Sequence, residues 1–270
     1  MLPNFIGLGG NRSGSTWYAD NLMRHGDIFV PRIKEIHFFD ADYDKGMDFY
    51  ESFFTGWSGE KAVGEVTPAY FYSATIARRI KKDLPGIKLF VSLRNPVDRA
   101  YSQYWRMIGM GYLEKDVSFE EALETRGMLL SYGMHSVNLS NYYEYFDRDD
   151  LLPLLFDSIK KEPETVLNEL FAFLGVEPEA EANYTLEAIN RSASLPNLGR
   201  SKGLYYLRRM MNRLGIHSLR DKMENINRTV LPPMNPETRQ YLTDYFREDI
   251  LKTEELIGKD LSGWLKPATR

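Results

Sequence analysis

Cysteine is absent from the 270-residue chain. That absence excludes a disulfide scaffold, thiolate zinc, an iron–sulfur cluster and a cysteine nucleophile. Histidine is scarce, with four residues at His25, His37, His135 and His217. No excess of positive charge exists either: 34 Lys and Arg stand against 38 Asp and Glu, a net charge of −4. Binding to nucleic acid through bulk charge is therefore excluded, and an anionic ligand has to be held by local chemistry. No stretch reaches the ~18 consecutive apolar residues of a membrane span, and the first ten residues carry no basic segment. The expectation is a soluble, cytoplasmic protein without a transmembrane segment. With 43% apolar residues and only 33 Gly and Pro (20 plus 13), the composition is that of a folded chain rather than a disordered or collagen-like one. This length buries a sizeable core without covalent staples.

Residues 5–8 form a short apolar strand signal running into Gly9-Gly10, followed by helix-compatible spacing over 15–24. A second strand at 62–66 ends in Thr67-Pro68 and precedes a helix over 73–84. The third, at 87–93, is continuously apolar between Pro85-Gly86 and Asn95-Pro96, as expected of a parallel strand buried on both faces. A fourth lies at 151–156, and further helices are predicted over 96–110, 118–125, 136–146, 162–174 and 236–257. Strands alternating with helices imply an α/β fold, with a central parallel sheet flanked by helices in a single domain over 1–270. Residues 190–228, where Ser, Asn and Gly precede a basic segment, read as a lid or insertion.

Gly9-Gly10-Asn11-Arg12-Ser13-Gly14-Ser15-Thr16 has the spacing of a phosphate loop, with Ser15 where that loop carries lysine. Glycines and helix-start amides still cradle an anion, but the ammonium serving a triphosphate is missing, which demotes a kinase or ATPase. Arg12 is the replacement cation; otherwise this is a glycine turn with Arg12 in solvent. Arg94 ends the third strand and Ser102 lies two turns along the next helix, a pair suited to a second, separate phosphate or else to a solvated helix start. Lys34-Glu35-Ile36-His37-Phe38-Phe39-Asp40 puts a carboxylate and an imidazole on one side of an extended segment, beside an aromatic wall that would desolvate Glu35 and raise its basicity. Either group is a candidate general base, and the alternative is a surface acid beside a structural histidine. Tyr70 and its aromatic neighbours stack on a ligand or belong to the core. Residues 200–222 hold seven cations against Asp221, a solvated helix face or an anion clamp.

Together the lysine-free loop, Arg94-x-Pro96-x-x-Arg99-x-x-Ser102-x-Tyr104, the segment 34–40, Thr67-Pro68-Ala69-Tyr70-Phe71, Phe173-Leu174-Gly175-Val176 and the stretch from Pro233 through Trp264 resemble the sulfotransferase family, especially the heparan-sulfate type and its bacterial relatives. The resemblance implies a P-loop-NTPase-like fold with a 5′-phosphosulfate-binding loop and a helical lid. It implies the donor 3′-phosphoadenosine 5′-phosphosulfate (PAPS), the product adenosine 3′,5′-bisphosphate (PAP) and no required metal. By that likeness Arg12, Ser13, Gly14, Ser15, Thr16 and Trp17 hold the 5′-phosphosulfate, while Arg94 and Ser102 hold the 3′-phosphate. Arg200, Ser201, Lys202 and Gly203, or Arg228 instead, complete the 3′ site. Lys34, His37, Phe38 and Tyr70 face a hydroxylated acceptor, a glycan or small molecule. Glu35 is the expected base with His37 second, and Arg12 stabilises the leaving phosphate. The sequence departs from the family at Arg12 and at Val66, both usually lysine, and lacks a clean Lys-Gly-Arg loop before Pro232-Pro233. An atypical kinase, marked by Mg²⁺-dependent ATP turnover, and a non-catalytic nucleotide-binding protein are the competing readings.

Overall fold

The computed structural model describes residues 1–114, 116–179, 184–186 and 231–266. The chain divides into two compact units, Met1–Arg94 with Ser136–Ile189, and Asn95–His135 with Asn190–Arg270.

The first unit is built on five parallel strands: β1 (Phe5–Gly9), β2 (Ile28–Phe29), β3 (Ala62–Val66), β4 (Lys88–Leu93) and β5 (Leu151–Leu155). Their order is β2-β3-β1-β4-β5, so the chain fills one side of β1 and then crosses to the other. Ligands of open parallel sheets bind at such a reversal, beyond the strands' carboxyl ends. At that edge lie the glycine loop after β1, Thr67 after β3, Arg94 after β4 and Phe156 after β5.

Strand β1 is buried throughout and β4 from Leu89 to Leu93, Ser92 included, as strands covered on both faces require. Gly64 in β3 is a packing necessity: a Cβ there would lie 2.3 Å from the Phe5 carbonyl oxygen. Pro153 sits within β5, opposite Val91, and is tolerated because β5 is an edge strand paired to β4 alone. Helices α1 (Ser15–Leu22), α2 (Met47–Glu51) and α3 (Ala74–Asp83) belong to this unit. Helix α3 buries Ile76, Ala77 and Ile80, one stripe of the helical period.

The second unit contains α4 (Pro96–Gly109), α5 (Phe119–Thr125) and α6 (Met128–Ser131). Helix α7 (His135–Tyr143) then leads back to the first unit, where β5 is followed by α8 (Phe156–Lys161) and α9 (Pro163–Leu174). Trp17, Tyr18 and Leu22 of α1, Phe156 and Ile159 of α8, and Leu167, Leu170 and Phe171 of α9 form one core with Phe5, Phe90 and Leu154 of the sheet. The last helix, α10 (Pro236–Ile257), belongs to the second unit.

Helices α4 and α10 begin alike, with Asn95 or Asn235 accepting from the amide two residues on, at 2.9 and 2.8 Å, and proline at the first helical position. A capping box between Ser118 and Glu121 starts α5. Within this unit the His135 amide donates to Asp249 at 2.8 Å, and Asn95 donates to the Trp264 carbonyl at 3.3 Å. Among the described residues no helix is long and apolar enough to cross a membrane.

The expected strands and helices are present, and short elements add to them: β2, α2, α6 and α8. The larger correction concerns the segment 34–40. It is not extended, because Glu35 and His37 both adopt left-handed backbone with φ of 62° and 58°, and a turn of π-helix follows at Phe38–Asp42.

Candidate active site

The loop after β1 is pinned by backbone. The Gly10 amide donates to the Ser92 carbonyl and the Ser13 amide to the Gly10 carbonyl, each at 3.0 Å. Arg12 takes φ 73° and Gly14 φ 89°, left-handed conformations of the kind that occur in anion-binding backbone turns. Gly14 caps α1 without any side chain to occupy the first-turn amides. Ser13 is buried, and its hydroxyl has no hydrogen-bond partner among the described residues. Buried hydroxyls are normally paired, so a loop holding one unpaired fits an anionic ligand that it would engage.

Arg94 reaches back to this loop. Its Nη1 donates to the Arg12 carbonyl at 2.9 Å, and its guanidinium lies 4.7 Å from the centre of the Phe156 ring. Lys34 donates through Nζ to the Thr16 hydroxyl on the first turn of α1. The Lys34 ammonium thus lies at the first turn of α1, beside the position at which a phosphate loop carries its lysine. Trp17 is buried, with its indole nitrogen donating to the Thr185 carbonyl at 2.5 Å.

Glu35, His37 and Asp40 form a chain of charges. His37 Nδ1 is 2.8 Å from Asp40 Oδ2, and Nε2 is 3.4 Å from Glu35 Oε2. The hydrogen bonds to Asp40 and then Glu35 outweigh burial and push the imidazole up from 6.5 to about 10. Burial raises Asp40, but the His37 bond and charge and the Ala41 amide bring it below the usual range. His37 is therefore a cation at neutral pH with both ring nitrogens donating. That corrects its reading as a second base, since it has no lone pair to offer. The aromatic wall is also corrected: Phe38 and Phe39 are buried in the core, while the Glu35 side chain stays 38% exposed. The turn that separates them follows from the left-handed backbone.

Because the folded His37 is raised above its unfolded value, its stabilisation is complete below pH 6.5 and is lost as pH rises toward about 10. Thermal midpoints measured by circular dichroism should fall across that window in wild type and fall less in His37→Gln. Equal slopes in the two proteins would show that the ion chain does not stabilise the fold.

Beneath the segment lies a buried carboxyl that the sequence reading did not single out. Glu65 of β3 accepts from Tyr50 at 2.7 Å, Thr67 at 2.5 Å and Tyr70 at 3.3 Å. The Thr67 hydroxyl accepts from the Ile36 amide at 3.1 Å, and the Tyr70 hydroxyl from the Phe38 and Phe39 amides at 2.8 and 3.3 Å. Tyr70 and Phe38 are fully buried, which corrects their assignment as acceptor contacts: their rings present no surface to a ligand. Asp40 was also missed, although a carboxylate three residues after a histidine meets it as soon as the segment turns. A glutamate in an otherwise apolar strand, Ala-Val-Gly-Glu-Val, was the available signal for Glu65.

Ser102 is buried in α4 and belongs to the second unit. Arg200, Ser201, Lys202, Gly203, Arg228 and the proposed lid at 190–228 lie outside the described residues. Among the described residues no three His, Asp or Glu side chains gather as a metal site.

With this geometry in hand, a sequence model of the Sulfotransferase domain matches residues 3–249. The chain belongs to the sulfotransferase family. It is 26% identical over 297 aligned positions to the bifunctional heparan sulfate N-deacetylase/N-sulfotransferase 4 of Mus musculus, an alignment covering 98% of this chain and 31% of that protein. The chain thus spans about a third of the length of the curated relatives it matches. A crystal structure of a sulfotransferase from Alicyclobacillus acidocaldarius superposes with a TM-score of 0.73 at 25% identity, covering 98% of this chain and all of that one. Retinol dehydratase, solved with androsterone and the inactive cofactor PAP, shares the fold at a TM-score of 0.51 and 13% identity, over 97% of this chain and 84% of its own. The family and the parallel α/β fold expected from the sequence both stand.

Proposed function

We propose that this sulfotransferase-family chain moves a sulfuryl group from PAPS to the hydroxyl of a glycan or small-molecule acceptor, with Glu35 as general base. One observation carries the reading. Among the described residues, the non-glycine positions with left-handed backbone are Arg12, Glu35 and His37, the same three to which the sequence assigns the chemistry. Such backbone costs on the order of 1–3 kcal/mol per residue and persists where surrounding structure holds it for a purpose.

In this reading residues 12–17, with the Ser15 and Thr16 amides at the start of α1, and the Lys34 ammonium hold the 5′-phosphosulfate, and Arg94 grips the 3′-phosphate. The bound donor supplies the sulfuryl group: the acceptor oxygen bonds to sulfur as the bond from sulfur to the 5′-phosphate oxygen breaks. Glu35 takes the acceptor's proton, its carboxylate oriented by the His37 cation, which Asp40 holds in turn. Arg12 and Lys34 stabilise the charge left on the phosphate oxygen. The whole of 1–270 is read as one sulfotransferase domain.

Calorimetry with PAP, alongside ATP with Mg²⁺, tests the donor assignment. PAP should bind without metal, and Arg94→Ala should weaken it about 10- to 100-fold, as expected for losing hydrogen bonds to a charged group. Preference for Mg-ATP would overturn the reading in favour of kinase chemistry. No binding of either ligand would return the glycine loop to a structural role.

A further inference from the structure

We propose that Glu65 is a positioning residue for the reaction: through Thr67 and Tyr70 its buried carboxylate fixes the main chain that carries Glu35 and His37. The proposal rests on the reading of Glu35 as base and goes beyond it. A carboxyl is expensive to bury, and Glu65 lies in a β-strand core with 2% of its surface exposed. What the arrangement achieves is directional. An ionised carboxylate only accepts, so the hydroxyls of Tyr50, Thr67 and Tyr70 must all donate to it. Their donation leaves the oxygen lone pairs of Thr67 and Tyr70 for incoming amides.

Those amides belong to Ile36, Phe38 and Phe39. Ile36 lies between the two left-handed residues, and Phe38 directly follows the second. Two adjacent-but-one residues in unfavourable backbone need neighbours that over-determine them, and these three amide bonds are the neighbours the structure provides. The Tyr142 hydroxyl, donating to the Tyr70 carbonyl at 2.7 Å, braces the same tyrosine from α7.

The titratable groups facing Glu65 are Tyr50, Tyr70 and the His37 cation. Burial outweighs the Thr67, Tyr50 and Tyr70 hydroxyls and the His37 charge, which favour the ionised form, and leaves the carboxyl raised to about 7. Above neutral pH it is ionised and the donor pattern is enforced.

The test uses the full chain at pH 8, with Glu65→Gln, Tyr70→Phe and Glu35→Gln in parallel. Gln keeps the shape but puts an amide donor among hydroxyl donors; Phe keeps the ring and removes only the relay oxygen, and serves if Glu65→Gln does not fold. Transfer from radiolabelled PAPS to N-sulfated heparosan and to p-nitrophenol gives kcat and KM, calorimetry gives the PAP affinity, and mass spectrometry gives amide exchange over residues 34–42. Expected for Glu65→Gln and Tyr70→Phe is a kcat lower by about tenfold to a hundredfold, with the KM for PAPS and the PAP affinity within about twofold of wild type. Exchange at residues 38 and 39 should be faster in both, and at residue 36 in Glu65→Gln, because the Ile36 amide bonds to Thr67 and not to Tyr70. Wild-type kcat per folded molecule, or wild-type exchange at those amides, in both variants would overturn the proposal. If Glu35→Gln keeps its turnover, the base assignment fails separately, and the exchange data still decide whether Glu65 holds the segment.

Discussion

Glu35→Gln is expected to reduce turnover by about 10²- to 10⁴-fold, the range for losing a positioned general base, while leaving PAP affinity unchanged. Gln is nearly isosteric and can still accept a hydrogen bond from His37 Nε2, 3.4 Å from the carboxylate in wild type. What it cannot do is take a proton from an acceptor hydroxyl. The loss should therefore fall on kcat and on kcat/KM together, with little change in the KM for PAPS. His37 is a poor substitute, because Asp40, the largest cause of its raised pKa, still faces the imidazole at 2.8 Å in the variant and favours its protonated form. Single-turnover transfer from radiolabelled PAPS, paired with calorimetry on PAP, separates the two effects. Transfer by Glu35→Gln at wild-type rate would remove Glu35 from the chemistry, and loss of PAP binding would make it a donor-site residue instead.

The frame around this site was legible because buried parallel strands write themselves as uninterrupted apolar runs, and Asn-Pro marks a helix start twice. The glycine loop was legible too, since its backbone requirement is a requirement for particular residues. Segment 34–40 was not. Local sequence gives no reason for Glu35 and His37 to turn left-handed; the reason is the set of hydroxyls on Thr67 and Tyr70, some thirty residues away, that capture the amides between and after them. An extended segment sets Phe38 beside Glu35 and keeps His37 from Asp40, whereas the turn buries Phe38 and brings those two together. Lys34 shows the same limit, because its reach to Thr16 depends on where the turn begins. Tyr70 is a separate case: an aromatic just past a strand end reads as a ligand platform or as core, and it is core.

Gly14→Ala should disable donor binding from the opposite direction, through the backbone. Alanine at φ 89° costs about 1–2 kcal/mol in conformational strain. Its Cβ would also lie 3.0 Å from Ile159 Cδ1 and 3.1 Å from Phe156 Cδ2, tight contacts inside a packed core. Relieving such overpacking costs about 1–3 kcal/mol. A total of about 2–5 kcal/mol lowers the melting temperature by on the order of 4–20 °C in a chain of this size. The effect on binding is the more specific result. Phe156 is the ring under the Arg94 guanidinium, and Arg94 holds the Arg12 carbonyl, so displacing that ring disturbs the loop and the 3′-phosphate arginine together. PAP affinity should fall about tenfold or more, consistent with losing at least one charge-assisted hydrogen bond. Gly86→Ala is the matched control, because a Cβ there meets nothing within 4 Å. Calorimetry and melting curves on both variants decide the matter. If Gly14→Ala melts early but binds PAP as tightly as Gly86→Ala, the loop's left-handed turn serves the fold alone and not the donor.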